Sequence, residues 1–180
     1  MAPKRNRLRV VILSEGKRDY DFVRRYLQHR LGKERIEVSR VDSGPEGQGS
    51  GEQRVREHYP AELQTLRTRA SKNACLVVMV DGDRLSVSQR RHQLEELAPR
   101  QNTDVAPIII PCRNIETWFA WLDGQKVDEQ RNYKSQYGKG TKAGQYGEKM
   151  AQYCAEYDAT EALPSIQQAC EELNRLPNIK

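Results

Sequence analysis

Two short apolar segments of this chain each lead directly into acidic residues. The segment Leu8–Leu13 is followed by Glu15, and the segment Cys75–Val80 is followed by Asp81 and Asp83. Short segments that are almost continuously apolar are typical of strands buried on both faces of a parallel sheet. Ligands of such sheets bind at the carboxyl ends of the strands. Carboxylates gathered there would repel one another, so we expect a cation among them, and their oxygen atoms favour Mg²⁺.

Strands and helices alternate through the first part of the chain. The apolar patterns predict strands at 8–13, 36–41, 75–80 and 105–110, and helices at 19–31, 52–71, 86–98 and 115–122. The alternation predicts an α/β fold with a mostly parallel four-stranded sheet and helices on both faces. Pro107 indicates either that the fourth strand lies at a sheet edge or that the proline is among the first residues of the strand. Pro60 is predicted to start a new helix, because proline disrupts a helix interior.

A chain of 180 residues is long enough for one domain with a real core. We expect residues 1–124 to form the α/β core. Residues 125–180 are predicted to pack on it as a basic loop rich in Tyr, Lys and Gly, followed by helices at 148–157 and 164–176. The glycine-rich segment 42–51 is predicted to be a mobile connector, with a lid over a site as the alternative.

Composition limits the partners, the cellular location and the cysteine chemistry that we expect. The net charge of +5 favours an anionic partner. The basic segment Lys4–Arg9 is either a solvated lead-in to the first strand or a phosphate contact. No apolar run approaches membrane-spanning length and no signal peptide is evident, so we expect a cytoplasmic protein without a membrane partner. The four cysteines include no closely spaced pair of the zinc-binding kind, and Cys75 and Cys112 are predicted to be buried thiols.

The acidic motifs resemble those of the TOPRIM fold. The segment Leu13–Asp19, with sequence LSEGKRD, resembles its glutamate motif, and the segment Asp81–Asp83 resembles its Asp-x-Asp motif. TOPRIM domains occur in topoisomerases, bacterial primases, OLD-family nucleases and small nucleases, which share Mg²⁺-dependent work on phosphodiester bonds. The resemblance covers roughly the first two-thirds of the chain and depends on the two motifs occurring together.

The resemblance implies roles for particular acids. Glu15 would be the general acid/base or a ligand of a catalytic metal, and Asp81 and Asp83 would hold Mg²⁺ or Mn²⁺. The family pattern sometimes adds an acid just after the second Asp, but Arg84 stands there in this chain. Glu116, in the first turn of the helix after the fourth strand, is the candidate to replace it. The alternative is that Glu116 only stabilises the helix N-terminus.

Basic residues near these acids are candidates to hold phosphate groups. Near the strand ends they are Lys17, Arg18, Arg84 and Arg113. After Gly124, tyrosines are interleaved with lysines and glycines, and the candidates there are Lys134, Lys139 and Lys142. Tyrosines can stack on unpaired bases while lysines meet phosphates. The alternative is a surface loop whose tyrosines pack on the edge of the domain. Asp19 is predicted to cap the first helix.

The leading hypothesis is a Mg²⁺-dependent nuclease acting on DNA or RNA. The segment Pro111–Trp118 also resembles small bacterial TOPRIM-like proteins, several of which accompany an ATPase in defence-type operons. That resemblance implies an ATPase partner and an anti-phage role. One alternative is a non-catalytic TOPRIM-like partner of an ATPase or of nucleic acid. Another is a phosphatase of the haloacid-dehalogenase type, which would use Asp81 and leave Glu15 without a role.

Overall fold

A four-stranded parallel sheet forms the centre of the chain. A computed structural model describes residues 7–41, 49–69, 73–156 and 161–179. The strands, in the order β2-β1-β3-β4, are β1 (Leu8–Ser14), β2 (Ile36–Arg40), β3 (Ala74–Met79) and β4 (Ile108–Ile109). Ser14 pairs with Met79, so β1 and β3 end level with each other. Most of the basic segment before β1 and of the glycine-rich segment before the second helix lies outside the described residues.

Helices cover both faces of this sheet. Within the described residues they are α1 (Lys17–Leu31), α2 (Gly51–Thr68), α3 (Val87–Leu97), α4 (Ile115–Leu122), α5 (Ala143–Glu156) and α6 (Pro164–Leu173). The helices α2 and α3 share one apolar cluster with one face of the sheet, and α1, α4, α5 and α6 share the other. The predicted α/β architecture, with a parallel four-stranded sheet between helices, is therefore confirmed.

The fourth strand is an edge strand, as Pro107 indicated. Its regular part is shorter than the predicted 105–110, but the backbone before it still pairs with β3, since the N–H of Val78 donates to the carbonyl oxygen of Pro107 at 3.0 Å. On the open side, the N–H of Ile108 donates to Oε2 of Glu172 at 2.9 Å. A side chain from α6 thereby protects an edge that would otherwise expose an unpaired donor.

The predicted helix break at Pro60 is wrong. The helix α2 runs without interruption from Gly51 to Thr68, with Pro60 inside it. Val55, Tyr59 and Leu63 lie on one face of this helix and are fully buried. A proline in a helix interior costs roughly 3 kcal/mol, and we attribute the continuity of the helix to the burial of this apolar face, which local propensity does not include.

The C-terminal part packs on the same core. The helix α5 begins at Ala143, whereas the prediction placed its start at Glu148. Its Gly147 lies so close to α1 that a Cβ there would be 2.1 Å from the carbonyl oxygen of Phe22. A disulfide between Cys154 and Cys170 joins α5 to α6 and was not predicted. None of the described helices is long and apolar enough to cross a membrane.

Tyrosines of the basic segment pack on the edge of the core. The ring of Tyr146 stacks on Phe119 with the centroids 4.2 Å apart, and the ring of Tyr137 meets Phe119 edge-on at 5.5 Å. The hydroxyl groups of both tyrosines donate to Oδ2 of Asp123 at 2.8 and 2.9 Å. The structure therefore gives Tyr137 and Tyr146 a packing role, which was the alternative to base stacking.

Candidate functional site

The ends of β1 and β3 bring Glu15 and Asp81 into direct contact. Glu15 follows β1 and Asp81 follows β3 after one more residue. Because these parallel strands end level, the two motifs meet at one edge of the sheet. Oε1 of Glu15 accepts a hydrogen bond from the backbone N–H of Asp81 at 2.7 Å. The predicted meeting of the two motifs is thus found in the structure.

Two further carboxylates lie beside this pair. Asp19, in the first turn of α1, accepts a hydrogen bond from the N–H of Gly16 at 3.1 Å, as expected of a capping residue, but its side chain is also buried. Glu116, in the first turn of α4, is buried as well and lies close enough to affect the charge of both Asp19 and Asp81. Asp83 is near enough for its charge to act on Glu15. The acidic cluster therefore consists of Glu15, Asp19, Asp81, Asp83 and Glu116.

Burial and mutual repulsion raise the pKa values of this cluster. Loss of solvent raises the pKa of Glu15 to about 7, and the charges of Asp19 and Asp83 add to the effect. Burial also raises the pKa of Asp19 to about 6, with a contribution from Glu116. The pKa of Asp81 lies well above its ordinary range, because of burial first and the neighbouring acids second. Without a cation, part of the cluster therefore carries protons near neutral pH.

Two oxygen atoms of the cluster have no hydrogen-bond partner. Among the described residues, Oδ1 of Asp81 and Oε2 of Glu116 are buried and unpaired. A buried acceptor without a partner costs free energy, so its presence calls for a ligand or a proton. Carboxylate oxygens are the ligands Mg²⁺ prefers, and it commonly uses one or two of them with water. The donor types therefore fit a divalent cation.

The arrangement is not a preformed metal centre. In the described ranges, no three acidic, histidine or cysteine side chains are positioned to hold a metal ion together. Glu15 uses one oxygen on the backbone of Asp81, and the side chain of Asp83 points partly to solvent, at 50% exposure. Binding of a cation would therefore require side chains of the cluster to move.

A buried arginine holds the Asp-Gly-Asp turn. The guanidinium of Arg90 donates to the carbonyl oxygen of Asp81 at 3.0 Å, to Oδ2 of Asp83 at 3.2 Å and to Oε1 of Glu52 at 2.6 Å. Asp83 adopts a positive φ of 53°. At Gly82, a Cβ would lie 3.0 Å from the carbonyl oxygen of Pro111, so a side chain would not fit without a shift. Arg90 and the glycine together set the position of both aspartates.

The predicted phosphate contacts near the strand ends have different surroundings. Arg18 forms an ion pair with Glu116 and donates to the carbonyl oxygens of Tyr137 and Gly138, the latter at 2.7 Å. Lys17 is 81% exposed and pairs with Asp21 at 3.0 Å. Arg18 therefore neutralises a member of the acidic cluster, while Lys17 stands in solvent.

The remaining predicted contacts line two cavities beside the cluster. Arg84 and Arg113 line a cavity of about 410 Å³ that includes Asp83. Lys139 and Lys142, with Lys17 and Arg18, line a second cavity of about 750 Å³. Lys134 lines neither of them, but it is exposed and its charge acts on Asp81.

Sequence reasoning missed the participation of Asp19 and Arg90. The signal was present in the helical spacing, because Arg90 stands between Val87 and Leu94 on the buried face of α3. Asp19 likewise precedes Phe22 by one turn on the buried face of α1. A charged residue at an apolar position of a helix needs a buried partner.

The comparisons with known proteins found no relative of this chain. No family model matches the chain, and neither a curated protein nor a solved structure was found to match it. The likeness of the acidic motifs to the TOPRIM fold therefore stays a prediction, and the function has to be inferred from the geometry of the acidic cluster and the cavities beside it.

Proposed function

We propose that this protein is a Mg²⁺-dependent nuclease of the TOPRIM type that hydrolyses phosphodiester bonds of DNA or RNA. The observation that carries the proposal is the acidic cluster at the carboxyl edge of the sheet, with Glu15 against Asp81 and two buried carboxylate oxygens left unpaired. A divalent cation, when bound, offsets the negative charge that builds on a phosphate during hydrolysis. Binding of a cation would explain why carboxylates that repel one another lie together at this site.

The residues would divide the work as follows. Asp81, Asp83 and Glu15 would hold Mg²⁺ or Mn²⁺, and Glu116 would supply a further oxygen. In the metal-free protein the pKa of Glu15 is raised to about 7, mainly by burial, so this carboxylate can take up or release a proton near neutral pH when it is not a metal ligand. This suits the role of general acid/base.

Cations beside the cluster would bind the substrate. Arg84 and Arg113 line the cavity that contains Asp83, where their side chains can reach phosphates next to the reacting bond. An ATPase partner and a role in anti-phage defence are proposed on the motif resemblance alone.

A specific observation favours the alternative of a non-catalytic partner of an ATPase or of nucleic acid. Arg18 pairs with Glu116 and Arg90 with Asp83, so two of the acids already have a cationic partner. These ion pairs already reduce the repulsion among the acids that a metal ion would otherwise offset. The contact of Glu15 with Asp81 argues against the phosphatase alternative, which gives Glu15 no role.

The experiment is a cleavage assay on the purified chain. Labelled single-stranded DNA, duplex DNA and RNA are incubated with Mg²⁺, Mn²⁺ or EDTA. We expect metal-dependent cleavage that falls at least about 100-fold in Asp81→Asn and in Glu15→Gln, the size of effect typical for loss of a catalytic acid or base. Glu37→Gln changes an exposed acid of β2 outside the cluster and serves as the matched control.

Each alternative predicts a different outcome. Cleavage that survives unchanged in Asp81→Asn would reject the proposed site. Nucleic-acid binding without cleavage under every metal condition would favour the non-catalytic partner. Hydrolysis of small phosphate esters that is lost in Asp81→Asn and kept in Glu15→Gln would favour the phosphatase.

A further inference from the structure

The larger cavity is strongly basic. It lies between α1 and the segment that leads into α5, and its volume is about 750 Å³. Its cationic lining residues are Lys17, Arg18, Arg24, Arg25, Lys139 and Lys142, against the single carboxylate of Asp21. Such an excess of positive charge on a concave surface attracts a polyanion.

Ion pairs neutralise only part of this charge. Lys17 and Arg24 pair with Asp21 at 3.0 and 3.8 Å. Arg25 pairs with Glu148 at 2.8 Å, and Arg18 pairs with Glu116. Lys139 and Lys142 are exposed and form no ion pair with any other residue that the structure describes. These two lysines therefore remain available to an external anion.

The wall that carries these lysines is anchored to the core. Arg18 donates to the carbonyl oxygens of Tyr137 and Gly138, at the start of the segment. At its other end, Gly144 packs against Arg25 so closely that a Cβ would lie 2.6 Å from the Cγ of that arginine. The lysines are thus carried by a segment fixed at both ends.

Arg18 also connects the cavity to the acidic cluster. Its side chain lines the cavity and at the same time pairs with Glu116. An anion in the cavity is therefore one side chain away from the carboxylates. None of the described residues that line the cavity is aromatic, so they offer charge but no surface on which a base could stack.

We propose that this basic cavity binds the sugar-phosphate backbone of the substrate strand beside the acidic cluster, without reading its sequence. The inference rests on the proposed function and adds the surface that holds the strand. Contacts to phosphates position a nucleic acid and carry no sequence information, which suits a cavity of lysines and arginines.

The test measures binding without hydrolysis. Fluorescence anisotropy follows a labelled oligothymidylate of about 20 nucleotides in EDTA, at salt concentrations between about 50 and 200 mM. We expect Lys139→Ala combined with Lys142→Ala to weaken binding roughly tenfold. The slope of log affinity against log salt should fall by about 1.4, or about 0.7 for each lost phosphate contact to a single strand.

The matched control removes two other cations. Lys33→Ala combined with Arg175→Ala changes two exposed residues that line neither cavity and lowers the net charge by the same amount. We expect its affinity and salt slope to equal those of the wild type. Equal losses in both double variants would show a general charge effect and overturn the proposal. Oligoglutamate that competes as well as oligothymidylate would overturn it in favour of an acidic protein partner.

The outcomes separate this inference from the proposed function. Binding that depends on Lys139 and Lys142 in a protein that never cleaves would leave the cavity standing and reject the nuclease. Metal-dependent cleavage with binding unaffected by the lysine changes would support the nuclease and reject the cavity as the surface that holds the strand.

Discussion

At the scale of single residues, the buried acids make stability depend on pH. The pKa of Glu15 rises from its ordinary 4.5 to about 7 on folding, and that of Asp19 rises from 3.8 to about 6. The folded chain therefore holds more protons than the unfolded chain between these values. The stability that these groups contribute is full below the unfolded pKa and is lost as pH rises through the folded one.

In the metal-free protein, Asp81→Asn should reduce the loss of stability at higher pH, because it removes one ionisable carboxyl group from the cluster. The difference in free energy of unfolding between variant and wild type should shift in favour of the variant as the pH rises from about 5 to about 8. Urea denaturation in EDTA measures it. For Glu37→Gln the same difference should stay flat. A flat difference for Asp81→Asn would mean that the cluster is not strained by its own charge.

Arg90 is the residue on which the Asp-Gly-Asp turn depends most. Its guanidinium is buried and pairs with Glu52 and Asp83. Arg90→Met should lower the free energy of unfolding by roughly 1–3 kcal/mol, because the carbonyl oxygen of Asp81 and the carboxylate of Glu52 lose a buried hydrogen-bond donor. Adding Glu52→Gln should recover part of the loss. The control Arg175→Met removes an arginine from a partly exposed ion pair and should cost less than about 1 kcal/mol.

At the scale of elements, the packing of α5 on α1 requires a glycine. A Cβ on Gly147 would lie 2.1 Å from the carbonyl oxygen of Phe22, a backbone atom that cannot turn away. Gly147→Ala should therefore destabilise the protein by about 1–3 kcal/mol, although alanine favours helix over glycine. Gln145→Ala, an exposed change in the same helix, should be neutral or slightly stabilising. Thermal unfolding of both variants makes the comparison, and a neutral Gly147→Ala would contradict the close approach.

Sequence patterns predicted the elements that depend on local apolar periodicity. The strands β1 and β3 are continuous apolar segments, so their ends, and with them Glu15 and Asp81, could be located in advance. Parallel pairing then followed from the alternation of strands and helices. The interior position of Pro60 could not be predicted in this way, because the helix is held by burial of Tyr59 and its neighbours against the sheet.

Contacts between residues that are far apart in the sequence could not be predicted from local patterns. Arg90 of α3 pairs with Glu52 of α2. Cys154 bonds to Cys170 at a sequence separation of 16, which is not diagnostic of a disulfide. Arg18 was expected to hold a phosphate, and its pairing with Glu116 depends on where α4 is placed by the core. Such contacts are consequences of the tertiary structure and leave only a weak trace in the sequence, in the form of polar residues at apolar positions.

At the scale of the whole molecule, the acidic cluster adjoins two cavities, of which the larger is strongly basic. The larger cavity meets the cluster at Arg18 and Glu116, and the smaller one contains Asp83. A polyanion drawn to the larger, basic cavity would lie beside carboxylates that repel it. The arrangement becomes favourable for an anionic strand once a cation neutralises the cluster, so binding of metal and of substrate should support each other.

Mg²⁺ should therefore stabilise the folded protein in the absence of any substrate. A ligand that binds only the folded state adds about 2.7 kcal/mol at one hundred times its dissociation constant, which corresponds to roughly 5–10 °C in melting temperature for a chain of this size. Protons compete for the same oxygens, and Glu15 loses its proton at about pH 7, so the gain should be larger at pH about 8 than at pH about 5. Calorimetry with and without EDTA measures the shift. Asp81→Asn should remove it and Glu37→Gln should keep it, whereas an equal shift in both variants would place the metal outside the acidic cluster.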